Sequence, residues 1–170
     1  MSSSDSLFLR FGELLDNSVL TWGLVACGIA QLLKLVFELI INKRWRPLII
    51  FETGGMPSSH SALVTGTAAG IGWEMGFDHP VFAFSVAIAF IVMYDASGIR
   101  RAAGLTAERV NLLPSSVWNE IPETDLKETL GHTRVEVLVG SLIGPIVALP
   151  GIVFIGSPLH LIQALNISFG

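Results

Sequence analysis

Charge is scarce in this chain. Asp, Glu, Lys and Arg make up 14% of its 170 residues, whereas 51% are hydrophobic and the mean hydropathy is +0.65. Soluble domains carry roughly 25% charged residues. A chain this poor in charge cannot clothe a water-facing surface, so it reads as an integral membrane protein. Cysteine is reduced to Cys27, which excludes an intramolecular disulfide and makes a cysteine-built metal centre implausible. The basic residues sit at the ends of apolar runs and the net charge is −4, which argues against a nucleic-acid partner. A basic start and a small-residue cleavage site are both missing at the N-terminus, so the first apolar run is expected to remain in the mature protein. There is no internal repeat or low-complexity tract, and residues 1–170 are expected to form one membrane-embedded domain.

At roughly 20 apolar residues per bilayer crossing, the composition predicts an all-α polytopic bundle of about four full spans, with interfacial helices and a short C-terminal apolar segment. Residues 1–17 form a polar, mildly amphipathic arm suited to the membrane interface. The first span runs from about Ser18 to Ile41, and its Gln31, Lys34 and Glu38 share one helical face that cannot look at lipid. Lys34 and Glu38 are expected to face the bundle interior, pairing with each other or with a site. A basic turn, Asn42 to Pro47, follows. The second span covers about Pro57 to Gly76 and carries Gly66-x-x-x-Gly70; the third covers about Val81 to Gly98. Between Ala102 and Arg134 the expectation is surface structure: a helix to Leu113, a loop over Pro114 to Thr124, and a short helix from Asp125 to Leu130 stopped by Gly131. The fourth span opens at Gly131 and runs to about Ile155, interrupted by Pro145 and Pro150, with Gly140-x-x-x-Gly144 on the side of His132 and Glu136.

The chemistry gathers around Thr53-Gly54-Gly55-Met56-Pro57-Ser58-Ser59-His60-Ser61-Ala62. Gly54 and Gly55 permit positive φ, so successive amides can point into one concavity, Pro57 suits the first turn of the helix that follows, and the helix dipole favours an anion there. Four alternating spans bring Ser58, Ser59 and His60, Arg100 and Arg101, and His132 with Glu136 to one membrane surface. The opposite surface offers only Asp78, His79 and the uncharged tail turn. Glu136, four residues after His132, can bond one imidazole nitrogen and leave the other as a nucleophile. His60 can then protonate the departing alkoxide and later activate water. Arg100 or Arg101, Lys34 and the amides from Gly54 to Ser59, Gly55 among them, would hold the equatorial oxygens of a phosphoryl group in transfer. The scheme calls for no metal and no cofactor. Asp95 is read as a partner of Arg100, Arg101 or Lys34, and His79 and His160 lie outside the cluster.

The segments Gly54-Gly-Met-Pro57-Ser58-Ser59-His60, Tyr94-Asp95-Ala-Ser-Gly-Ile-Arg100-Arg101 and Gly131-His132-Thr-Arg-Val-Glu136 resemble the divergent branch of the superfamily of type 2 phosphatidic acid phosphatases and vanadium-dependent haloperoxidases. The resemblance runs from the first span through the fourth. It implies a lipid phosphatase working through a phosphohistidine without metal, with Ser58 as phosphate ligand, His60 as general acid, His132 as nucleophile and Glu136 as its orienting acid. Against the family pattern, Ser59 stands for glycine, Glu136 for aspartate and Leu39 for the first-motif lysine; Arg100 and Arg101 lie some thirty residues upstream of the nucleophile, where the family's arginine is a few residues from it.

The leading expectation is therefore a membrane-embedded phosphatase acting on a lipid phosphate or pyrophosphate, with membrane lipids as surroundings and substrate. Three other readings stay open: a small-anion or proton transporter using Lys34, Glu38, Asp95 and the arginines; a non-catalytic phosphate- or lipid-binding protein with a relict pocket; and, ranked lower, a metal hydrolase using His60, Asp95, His132 and Glu136. Haloperoxidase chemistry is disfavoured. Lys43, Arg44, Arg46, Arg100, Arg101, Arg109, Lys127 and Arg134 all fall on the site surface, which the positive-inside rule places in the cytoplasm or its equivalent.

Overall fold

The protein is described from a computed structural model covering residues 12–14, 16–52, 54–114 and 125–164. Helix α1 (Ser18–Ile41) starts where the Asn17 side chain accepts from the Leu20 amide, and a 3-10 turn follows at Pro47–Phe51. Helices α2 (Ser59–Met75), α3 (Pro80–Ser97), α4 (Ile99–Asn111), α5 (Arg134–Phe154) and the short α6 (Pro158–Ala164) complete an all-helical chain. Among the described residues three helical stretches are long and apolar enough to cross a membrane: α1, α3 continued through α4, and α5. The second of the four expected spans, α2, has 17 residues and a length of about 25 Å.

Helix α2 is nonetheless the one around which the others assemble. Its largest interface is with α5, the next with α1, and it also carries α3. Helices gain little by hiding apolar surface from lipid that is equally apolar, so close packing of small residues has to hold them. That is what α2 supplies. A Cβ on Gly66 would lie 3.1 Å from the Gly144 carbonyl of α5 and 3.4 Å from Ala26 of α1, and one on Gly70 would strike Ile152 at 2.8 Å. On the facing side, a Cβ at Gly144 would come within 2.5 Å of the Ala62 carbonyl. Both small-residue motifs read from the sequence thus meet each other. Large apolar residues point outwards instead, among them Phe84, Phe90, Leu138, Leu142 and Ile146.

The polar stripe on α1 has a partner that the sequence did not specify. Gln31 Nε2 donates to the Ile50 carbonyl at 2.8 Å and Lys34 Nζ to the Glu52 carbonyl at 3.1 Å. Glu38 accepts from Asn42 at 2.6 Å and faces Arg46 at 3.8 Å. The stripe is a track for the segment 42–52, and Lys34 and Glu38 are used separately along it.

Several expectations need correcting. Helix α2 begins at Ser59, with Ser58 as N-cap, so Pro57 precedes the helix. Helix α5 runs unbroken through Pro145 and Pro150, as helices packed among neighbours in lipid tolerate. Residues 125–130 are not helical; the Leu126 amide and carbonyl pair with Asn111 of α4, as described below. The opposite surface is richer than Asp78 and His79, for it also holds Asp16 and Glu74, which bond to Ser157 and Ser18. The expected arm over residues 1–11, the loop over 115–124 and Thr53 lie outside the described residues.

Candidate functional site

Two connections deliver the site, and each is shaped by glycine. In the first, Gly55 takes φ +90°, a conformation L side chains rarely adopt, and turns the chain into the buried Pro57 and Ser58. The Ser58 amide donates to the Glu136 carbonyl at 3.0 Å, which docks this turn onto α5. Gly140 makes that contact possible, since a Cβ there would sit 2.2 Å from the Ser58 carbonyl. Ser58 is fully buried, and its Oγ accepts from the Ser61 amide at 3.3 Å and from the Ser61 hydroxyl at 2.9 Å. With both acceptor positions in use, the Ser58 proton is left to donate.

The second connection carries His132. Asn111, the last residue of α4, pairs its side-chain amide with Leu126: Nδ2 donates to the Leu126 carbonyl at 2.9 Å and Oδ1 accepts from the Leu126 amide at 3.0 Å. Nδ2 also reaches Glu128 at 2.8 Å. The chain then crosses α4 at Gly104, where a Cβ would stand 2.6 Å from the Glu128 carbonyl. Gly131, with φ +75°, lies on the backbone of Arg100 and Arg101, and the His132 amide donates to the Ala96 carbonyl at 2.9 Å. On its other side Gly54 closes in, its Cβ position 3.4 Å from the Gly131 carbonyl. The nucleophile candidate is thus held by the α3–α4 corner and by the glycine turn together.

His132 is 2% exposed. Its Nδ1 lies 3.0 Å from Glu136 Oε2, and that same oxygen accepts the Thr133 amide at 3.1 Å within a capping box that opens α5. A carboxylate only accepts, so Nδ1 carries a proton, and in the neutral ring Nε2 carries the lone pair. Nε2 is buried and has no hydrogen-bond partner among the described residues. A buried polar atom left open inside an otherwise satisfied network marks a place where a ligand completes it.

The other expected residues divide. Lys34, 1% exposed, uses one of its three donors on Glu52 and feels the charges of Glu136 and Glu52. The exposed His60 lies in the field of the cationic Arg100 and Lys34. Arg100 is itself bound by Asp95, Nε to Oδ2 at 2.6 Å, which settles the partner of Asp95. Ser59 is buried beside Ser58. Arg101 is exposed and meets the site segment through its backbone at Gly131. Within the expected amide cradle from Gly54 to Ser59, the Ser58 N–H is spent on the Glu136 carbonyl, and the Ser61 N–H just beyond it goes to the helix cap. Among the described residues no three His, Cys, Asp or Glu side chains converge as metal ligands. The Ala96 carbonyl and Asn111 were missed from sequence, where nothing in their neighbours signals a role, and Ser61, though inside the central stretch, was given no role of its own.

Residues 15–147, which contain every site residue from Lys34 to Gly140, match the model of the Divergent PAP2 family. The chain belongs to that family. This divergent PAP2 chain is also 38% identical over 151 residues to the uncharacterized membrane protein YuiD of Bacillus subtilis (strain 168), covering 81% of the chain and 95% of that protein. No solved structure matches it. For a divergent PAP2 protein the arrangement is informative in one respect: Ser58, Glu136 and His132 are tied together by backbone and capping bonds, so the family's separate motifs act here as one unit.

Proposed function

We propose that this protein is a membrane-embedded phosphatase that hydrolyses a lipid phosphate or pyrophosphate through a phosphohistidine on His132. The observation that carries the reading is the buried His132 ring, held at Nδ1 by Glu136 with Nε2 open. The phosphate is seated by the Ser58 hydroxyl, the Ser59 and His60 amides, Lys34 and Arg100. Nε2 attacks phosphorus as the bond to the alkoxide breaks, and protonated His60 gives its proton to the leaving oxygen. The neutral His60 then takes a proton from water, which attacks phosphorus and breaks the P–N bond, releasing inorganic phosphate and freeing Nε2. Lys34 and Arg100 offset charge on the equatorial oxygens during both steps. In this reading the site opens at headgroup level on the cytoplasmic side, which the positive-inside rule supports.

The test is phosphate release by the purified protein from an alkyl phosphate in excess EDTA, with vanadate as inhibitor. His132→Ala and His60→Ala are expected to lose it, the latter by about 10²- to 10⁴-fold. Turnover surviving in His132→Ala removes the mechanism. Vanadate binding without turnover would make this a phosphate-binding protein, and substrate flux without hydrolysis in proteoliposomes would make it a transporter. Labelling of Asp78→Cys from the cytoplasmic side would reverse the orientation.

A further inference from the structure

The site lies one helical turn from an apolar groove that opens sideways between α3 and α5. These two helices barely touch each other; both rest on α2, which forms the floor. The groove holds about 430 Å³ and is lined by Thr65 and Ala69 of α2, Val86, Phe90 and Met93 of α3 and Ser141 of α5, among others. Leu138, Leu142 and Ile146 stand exposed beside it, as lipid-facing residues do.

Each wall leads to the site. Thr65 bonds the Ser61 carbonyl at 2.7 Å, and Ser61 bonds Ser58. Ser141 follows Gly140, which packs on Ser58. Met93 lies one turn before Ala96, whose carbonyl holds His132. From Met93 to Phe82 at the far end the groove follows α3 for about 16 Å, roughly half of a ~30 Å hydrocarbon core and so the depth of one leaflet. A cleft of that depth, apolar along its length, ends at Thr65, Met93 and Ser141, each within one turn of a residue that holds Ser58 or His132. Its complement is an amphiphile with an anionic head and a hydrocarbon tail.

We propose that this groove seats one alkyl chain of the phosphorylated lipid whose phosphate occupies the His132 site, an assignment that rests on the phosphatase reading above. A chain moving from bilayer to groove exchanges one apolar medium for another and gains little affinity. What it gains is register: the tail fixes the depth at which phosphorus meets Nε2, so the groove acts on kcat more than on KM. A second groove, on the other side of α3, includes Leu63, Val64, Ser85 and Ile88. It involves no α5 residue and, although its α2 wall begins one turn from His60, it reaches up α3 only to Ile88, two turns short of Ala96, so it serves as the control for a groove that does not lead to Ser58 and His132.

The experiment compares hexadecyl phosphate with water-soluble butyl phosphate on the full chain in lipid nanodiscs. Val86→Trp, and independently the milder Ala69→Leu, fill the groove; Ser85→Trp fills the control groove. Hydrolysis of hexadecyl phosphate should fall at least about tenfold in both groove variants, with butyl phosphate changed less than about twofold and Ser85→Trp like wild type on both. Equal loss on the two substrates, or no loss on either, overturns the assignment. If the wild type hydrolyses neither substrate, the phosphatase reading fails on its own. Thermal protection then tests the groove: hexadecyl phosphate should protect wild type more than Val86→Trp, and equal protection overturns it. A change of oligomeric state in Val86→Trp would assign the groove to a second copy of the chain and overturn the lipid assignment.

Discussion

The two ends of this bundle hold comparable sets of polar residues and use them differently. At the end away from the site, the Ser18 hydroxyl bonds Glu74, Ser157 Oγ donates to Asp16 at 2.7 Å, and Trp22 Nε1 donates to the Gly156 carbonyl at 2.8 Å. These bonds tie the start of α1 to the ends of α2 and α5, next to a cavity of about 600 Å³. At the other end an equally dense set, Ser58, Ser61, Thr133 and Glu136, ties α2 to α5 but leaves His132 Nε2 buried and open. What separates the two ends is an unfilled valence on a residue that every neighbour works to orient.

Breaking the comparison at its strongest point means removing that valence. His132→Ala should lower phosphate release by on the order of a thousandfold or more at matched folded fraction, while the lost Glu136 bond and the cavity cost about 1–3 kcal/mol of stability, read by a malachite green assay beside a melting curve. A sharper version places one methyl at each end. Gly140→Ala puts a Cβ 2.2 Å from the Ser58 carbonyl, and Gly151→Ala puts one 2.1 Å from the Trp22 ring. Each is expected to cost about 1–3 kcal/mol of stability by overpacking, yet Gly140→Ala alone should weaken vanadate binding, measured by titration at matched folded fraction.

That contrast was legible in the sequence only in part. The limits of α1 and α3, the glycine faces of α2 and α5 and the convergence of His60, Arg100 and His132 follow from apolar run length, small-residue spacing and alternating span direction, all local or topological properties. The segment 125–130 was misread as a helix because its composition is compatible with one. Its actual partner, the Asn111 side chain, lies fifteen residues upstream, and no local pattern records that pairing. The stripe of Gln31, Lys34 and Glu38 was read correctly as turned from lipid, but its partners are backbone carbonyls and an arginine of the next segment, contacts available to almost any sequence there. For the same reason the Ser58 amide was counted as an anion donor when it is spent on Glu136.

Smaller effects refine the comparison. Ser58→Ala removes the cap of α2 and a donor to the anion, and is expected to cost about 1 kcal/mol of stability together with a roughly tenfold or greater loss in vanadate affinity. At the far end, Trp22→Phe should cost a similar ~1 kcal/mol in the melting curve with turnover unchanged, because the bond it removes closes a satisfied network. A loss of turnover in Trp22→Phe beyond its loss of folded protein would mean that the two ends are coupled.

The most direct measurement is to quench the protein during turnover of a 32P-labelled alkyl phosphate in excess EDTA and locate the label. The account predicts an acid-labile, alkali-stable phosphoryl group on Nε2 of His132, because Nδ1 is taken by Glu136, and no label in His132→Ala. Steady hydrolysis with no phosphohistidine on the wild type, or label on any other residue, would contradict it.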